Sequence, residues 1–227
     1  MNAQLTDNWN KLYQNDNIPP WEDLEYNSKF CEFVIQNSTP EMQILELGAG
    51  LGHNAIYLAK AGLQVTASDV STNAMARCKA FAENSGVTLN CRTIDILNLS
   101  GNEGEFHLIY EKGCWHTFFD DWSRTRFAER VASLLTDNGL WISASGSADN
   151  DDDPDDPYLI TYPRLTLLQI ALASEGYFEA KKIQKGLYGD RENNRFLTWE
   201  CLFQKRANNR VKLTANSAAV SRSQCPA

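Results

Sequence analysis

The 227-residue chain has no uninterrupted run of about 18 apolar residues, so no segment reads as a membrane-spanning helix. Its first ten residues, MNAQLTDNWN, lack both the basic start and the apolar stretch of a signal peptide. A cytoplasmic protein is therefore expected. The six cysteines (Cys31, Cys78, Cys91, Cys114, Cys201, Cys225) include no CxxC pair and are irregularly spaced, which argues against a disulfide framework and leaves reduced, mostly buried thiols. There are only three histidines, His53, His107 and His116, and they are scattered, so no metal site is expected. Positive charge is the scarcer sign: 21 Lys and Arg stand against 29 Asp and Glu, for a net charge of −8. Such a chain repels phosphate backbones and anionic lipid, so nucleic acid and membranes are not expected partners.

Apolar residues are plentiful at 43%, enough for the core of one domain. From residue 43 onward, short apolar runs alternate with segments of helical period. Strands are expected at Gln43–Leu47, 63–68, 88–93, 106–111 and 140–144, with helices at 54–61, from Ser71 or Thr72 to 84, and at 124–135. Gly62, Gly86 and Gly139 sit where those helices should stop. A further helix over 165–175 precedes two strands, 180–185 and 196–203, separated only by a glycine- and asparagine-containing loop. The fold class expected is α/β: a Rossmann-like, doubly wound, mostly parallel seven-stranded sheet with a C-terminal antiparallel hairpin strand. Two segments stand outside this pattern. Residues 149–157 pack six Asp into nine positions, a solvated loop without the Gly and terminal Glu of a calcium site. Residues 206–227 hold four basic residues and no acid, are rich in Asn, Ser and Ala, and are expected to be disordered.

The strongest chemical signal is Glu46-Leu47-Gly48-Ala49-Gly50-Leu51-Gly52, where a strand turns into a helix. A dinucleotide fingerprint wants glycines at offsets zero, two and five; here they fall at zero, two and four, and His53 occupies the dinucleotide position. Asp69 follows the second strand, where a carboxylate can accept hydrogen bonds from ribose hydroxyls or cap the next helix.

In these residues the chain resembles the class I S-adenosylmethionine-dependent methyltransferases, whose first motif is an acid, an apolar residue and GxGxG. The resemblance implies S-adenosyl-L-methionine as cofactor and assigns Glu46, Gly48, Gly50, Gly52, Asp69 and Val70 to its binding, with Asp95 and Ile96 at the adenine. The Asn-Pro-Pro-Tyr motif of nucleobase amino-methyltransferases is absent. Glu111-Lys112-Gly113 resembles the Asp-Arg-Gly or Asp-Lys-Gly of the thiopurine S-methyltransferase and thiol/halide methyltransferase kind, with Glu111 for the usual Asp. Trp9, Tyr13 and Pro19-Pro20-Trp21-Glu22 resemble the aromatic N-terminal lid of that subgroup, and Asp156-Pro157-Tyr158 with Tyr162-Pro163-Arg164 resembles the close of these enzymes.

The resemblance divides the chain into a lid (1–39), a methyltransferase domain (40–205) and a tail (206–227). It places Trp21 and Glu111 with the cofactor, and Trp9, Tyr13, Lys112, Trp115 and Arg164 with the acceptor. A thiol or other soft or anionic small-molecule acceptor is expected. His116 is the candidate base if the acceptor is instead an alcohol or phenol. The other readings are a nicotinamide oxidoreductase and a non-catalytic methyltransferase-like binding subunit.

Overall fold

The computed structural model describes residues 3–15, 18–19, 21–22, 28–101, 104–149, 164–188 and 196–207. Pro20, most of the aspartate-rich run, Tyr158, Tyr162 and the tail beyond residue 207 lie outside the described residues. Helices α1 (Ala3–Leu12) and α2 (Ser28–Gln36) precede strand β1 (Gln43–Leu47). The alternating body follows: α3 (His53–Lys60), β2 (Gln64–Asp69), α4 (Thr72–Asn84), β3 (Asn90–Thr93), β4 (Phe106–Lys112), a single 3-10 turn at Trp115–Thr117, α5 (Asp121–Leu134) and β5 (Leu135–Gly146). Helix α6 (Leu167–Ser174) and strands β6 (Phe178–Tyr188) and β7 (Phe196–Lys205) close the fold.

The seven strands lie in the order β3-β2-β1-β4-β5-β7-β6. The first five are parallel, while β7 runs antiparallel between β5 and β6. Because side chains alternate across a strand, neighbouring residues feed opposite faces. Ile44, Leu108 and Ile142 join one core with Phe30, Val34, Ala55 and Leu58. Leu45, Ile109 and Trp141 join the other with Trp115, Phe127, Phe178 and Phe203. Helix α2 is thus part of the sheet's packing: Phe30, Cys31 and Val34 are buried.

One local expectation needs correcting. Gly139 was expected to end the helix over 124–135, but α5 stops at Leu134, and Leu135 already has extended backbone (φ −76°, ψ 141°). Leu135 pairs with Phe106 and Leu140 with Leu108, so the intervening residues form an irregularity inside β5. Asn138 accommodates it with φ 61°, a region open to Asn at low cost.

The chain order reverses at β1, whose neighbours are β2 on one side and β4 on the other. Ligands in open α/β sheets bind outside the carboxyl ends of the strands at such a switch point. The glycine turn occupies that place, and Gly52 caps α3 in the left-handed region at φ 79°. A methyl group there would overlap the sulfur of Cys78 on α4. Gly52→Ala is expected to destabilise the fold by about 1–3 kcal/mol from backbone strain and overlap together. Urea unfolding checks this, and adding Cys78→Ala should recover only the overlap.

Candidate active site

A cleft with an empty volume of about 880 Å³ including its mouth opens at the switch point. Its floor is the end of β1 and the glycine turn (Leu47, Gly48, Ala49), and one wall is the end of β2 (Ser68, Asp69, Val70). Ile94 and Ile96 supply an apolar side, and the exit of β4 supplies Lys112, Gly113, Cys114, Thr117 and Phe118. Trp9, Tyr13, Trp21 and Glu22, all from the N-terminal segment, also line it.

Asp69 fixes the local geometry. Its Oδ2 accepts from the Gly50 N–H at 3.0 Å and its Oδ1 from the Ser71 N–H at 2.9 Å. One carboxylate thereby joins the glycine turn to the start of α4, and each oxygen keeps a lone pair for a ligand hydroxyl. Burial pushes its carboxyl above the usual range, while the backbone donors pull it back. Glu46, on β1, is buried at the cleft wall; desolvation raises its carboxyl to about 8, with Tyr110 and Asn54 lowering it part of the way. Its Oε2 is buried and makes no hydrogen bond of good geometry.

The N-terminal segment closes over the turn. Glu22 Oε1 accepts from Tyr13 Oη at 2.6 Å and from the Leu51 N–H at 3.1 Å, while Trp21 Nε1 donates to Tyr13 Oη at 3.1 Å. Trp9 and Trp21 meet edge to face with ring centroids 5.7 Å apart. Gly50, at φ 54°, has a left-handed backbone that favours glycine, and a Cβ there would also displace the Glu22 carboxylate.

Among the described residues lining the cleft, Glu22, Glu46 and Asp69 face a single cationic side chain, Lys112. This donor set fits a cationic ligand carrying hydroxyls and a flat apolar part. S-adenosylmethionine has such a composition: a sulfonium, an ammonium, a ribose diol and an adenine.

A methyltransferase-domain model matches residues 44–139. Over 113 residues the chain is 32% identical to an uncharacterized methyltransferase of Schizosaccharomyces pombe, spanning 49% of this chain and 77% of that protein. The chain belongs to the methyltransferase family. A 100-residue stretch is 26% identical to the 2-heptyl-1-hydroxyquinolin-4(1H)-one methyltransferase of Mycobacteroides abscessus, covering 44% of each. The fold of this methyltransferase superposes with a TM-score of 0.69 on the Burkholderia thailandensis 1,6-didemethyltoxoflavin-N1-methyltransferase solved with S-adenosylhomocysteine. That match has 19% identity and covers 90% of this chain and 88% of the other. The chain is a methyltransferase-family enzyme, and its Rossmann-like fold is shared with solved S-adenosyl-L-methionine-dependent methyltransferases.

Not every residue singled out in the sequence lies at the cleft of this methyltransferase. Trp9, Tyr13, Trp21, Glu46, Gly48, Asp69, Val70, Ile96 and Lys112 line it. Gly50 and Gly52 shape the turn from behind. Asp95 is turned to its own loop, where its Oδ1 accepts from the Leu97 N–H at 3.1 Å. Glu111 is buried, bonded to Ser143 Oγ and to the N–H groups of Cys114 (2.8 Å) and Trp115 (3.0 Å), so it holds the β4 exit loop in shape. Trp115 was expected at the acceptor, yet it is fully buried against Trp141, centroids 4.6 Å apart, with its Nε1 donating to the Arg124 carbonyl. The Glu111 bonds turn the backbone so that this ring enters the core.

His116 corrects the simplest sequence expectation. It does not line the cleft, and its Nδ1 accepts from the Gly146 N–H at 2.8 Å. The basic lone pair is therefore spent, and a neutral ring carries its proton on Nε2. Arg164 lies beside it, packed on Gly146, and is likewise absent from the cleft. Desolvation first and the Arg164 charge second push His116 down to about 4. Glu22, legible in the sequence only within the lid pattern, lines the cleft too, as do Ile94, Asn54, Cys114, Thr117 and Phe118, which no sequence motif marks. Their only signal is proximity to the strand ends.

The His116 shift carries a sign. The unfolded ring binds a proton near 6.5 and the folded ring only near 4, so this contribution is full above 6.5 and lost as pH falls toward 4. It amounts to about 3 kcal/mol at most. His116→Asn, whose Oδ1 can take the Gly146 N–H, is expected to lose less stability than wild type between pH 6.5 and 4, as measured by denaturant unfolding.

Proposed function

We propose that this chain transfers a methyl group from S-adenosyl-L-methionine to a small-molecule acceptor that attacks as a soft or anionic nucleophile, with a thiol first. The observation that carries the reading is the engagement of His116 Nδ1 by Gly146, which leaves the histidine after β4 without a lone pair for a proton. An acceptor that is already anionic, or acidic enough to become so, needs no protein base. The thiopurine S-methyltransferase-like subgroup belongs to this proposal. It rests on Glu111-Lys112-Gly113 and on the aromatic N-terminal segment that lines the cleft.

The bound cofactor supplies an electrophilic methyl on a sulfonium; the chain supplies place and field. Asp69 offers its remaining lone pairs to the ribose hydroxyls. Val70, Ile94 and Ile96 form the apolar side for the adenine. Glu46 faces the ammonium end, and Trp9 and Trp21 offer ring faces to the cation while excluding water. Lys112 orients an anionic acceptor and offsets part of the negative field of the acidic side chains. Alignment of nucleophile, methyl and leaving sulfur in a dry cleft is the main catalytic contribution.

A second reading, an acidic hydroxyl on a flat ring, is favoured by the likeness to a methyltransferase named for a 1-hydroxyquinolinone. It differs from the first only in the attacking atom.

Two measurements test the proposal. Incubation with methyl-labelled cofactor and a panel of thiols, acidic phenols, N-hydroxy heterocycles and simple alcohols is expected to give labelled thioether first and no product from simple alcohols. Efficient methylation of an unactivated alcohol would overturn it. Cofactor binding is also expected to expel a proton from Glu46 at pH 7, because pairing with an ammonium lowers a carboxyl that otherwise titrates near 8. Calorimetry in buffers of different ionisation enthalpy should show release that is smaller in Glu46→Gln and fades above pH 9.

A further inference from the structure

Helix α1 packs on α4 through Trp9, which sits on a cluster holding Ala74, and bonds to it through Asn10. Asn10 Oδ1 accepts from Ser71 Oγ at 3.0 Å, from Thr72 Oγ1 at 3.2 Å and from the Asn73 N–H at 3.4 Å. The Asn10 carbonyl accepts from Asn73 Nδ2 at 2.9 Å. These donors are the first residues of α4, whose orphan N–H groups normally look for a cap. Ser71 already provides one, since its Oγ accepts from the Ala74 N–H at 3.1 Å. Asn10 therefore adds a second cap, supplied by another helix.

The position of this contact matters more than its strength. Ser71 is also the residue whose N–H binds Asp69 Oδ1, and Asp69 Oδ2 binds the Gly50 N–H. On the far side of the same turn, Glu22 accepts from the Leu51 N–H and is held there by the Tyr13 hydroxyl. The N-terminal segment is thus fastened at two points, and the ribose-binding carboxylate lies between them.

We infer that Asn10 is a positioning residue for the cofactor: its grip on α4 holds Trp9 and Tyr13 against the cleft before the ligand arrives. Asn10 touches no reacting atom and does not line the cleft. Its effect is to keep the aromatic face in the binding-competent arrangement, so that binding does not have to order it. The inference rests on the cofactor reading given above.

The test compares S-adenosylhomocysteine binding by the full chain as wild type, Asn10→Ala, Asn10→Asp and Asn73→Ala. Asn10→Ala removes the side-chain acceptor and is expected to raise Kd about tenfold, the scale of losing a charge-free cap and its neighbours. Amide exchange in α1 of the ligand-free protein should quicken in the same variant. Asn10→Asp keeps the acceptor oxygen at a helix N-terminus, where negative charge is favoured, and should bind within about twofold of wild type. Asn73→Ala, which removes only the bond to the Asn10 carbonyl, should show a smaller shift in the same direction and serves if Asn10→Ala does not fold. Wild-type affinity in both Asn10→Ala and Asn73→Ala, or equal losses in Asn10→Ala and Asn10→Asp, would overturn the inference. No binding by the wild type would instead remove the cofactor reading on which it stands.

Discussion

The structure around the cleft depends on one buried carboxylate. Asp69 takes an N–H from Gly50 and another from Ser71, and so locks together the glycine turn after β1, the exit of β2 and the first residues of α4. A buried carboxylate is costly unless its oxygens are bonded, and here backbone donors meet that need. Once Asp69 is satisfied in this way, the turn must pass close to the N-terminal segment, and a side chain at Gly50 would displace the Glu22 carboxylate. Cys114 likewise presses on Gly48 from the β4 side. The glycine pattern is thus set by three approaching elements as much as by a ligand.

The second organising feature is the sign of the cleft. Three acidic side chains and one lysine among the described lining residues set that sign, and burial holds the Glu46 carboxyl well above the usual carboxylate range. The net charge of −8 alone did not reveal this, because its uneven placement is dominated by the six Asp of 149–157 and the acid-free basic stretch 206–227. What matters is the convergence of Glu46 from β1, Asp69 from β2 and Glu22 from the N-terminal segment on one space. The exit loop of β4 is shaped from behind by Glu111 and His116, two polar residues that act through backbone hydrogen bonds.

Much of the sheet was legible because its rules are local. Apolar runs such as Gln43–Leu47 and the region around Phe106–Lys112 alternate between two cores, and the glycine turn sits where strand meets helix. The bulge at Asn138 was hidden because Gly139 carries the same signal whether it ends a helix or bends a strand. Site residues on the strands, Glu46, Asp69 and Lys112, could be placed from topology. Trp115 and His116 could not, because a single 3-10 turn decides which of them faces the core, and that turn is set by Glu111 across the loop. Ile94, Cys114 and Phe118 carry no residue-type signal at all; only the assembled strand ends bring them to the cleft.

The central claim is that this turn, with glycines at 48, 50 and 52, and its three acidic side chains form a site for S-adenosyl-L-methionine in place of a dinucleotide. Calorimetric titration of the full chain with S-adenosylmethionine and with NAD, side by side, tests it most directly. The account predicts saturable binding of S-adenosylmethionine that is weakened by Asp69→Ala, and no saturable binding of NAD. Tight NAD binding with no S-adenosylmethionine binding would contradict it.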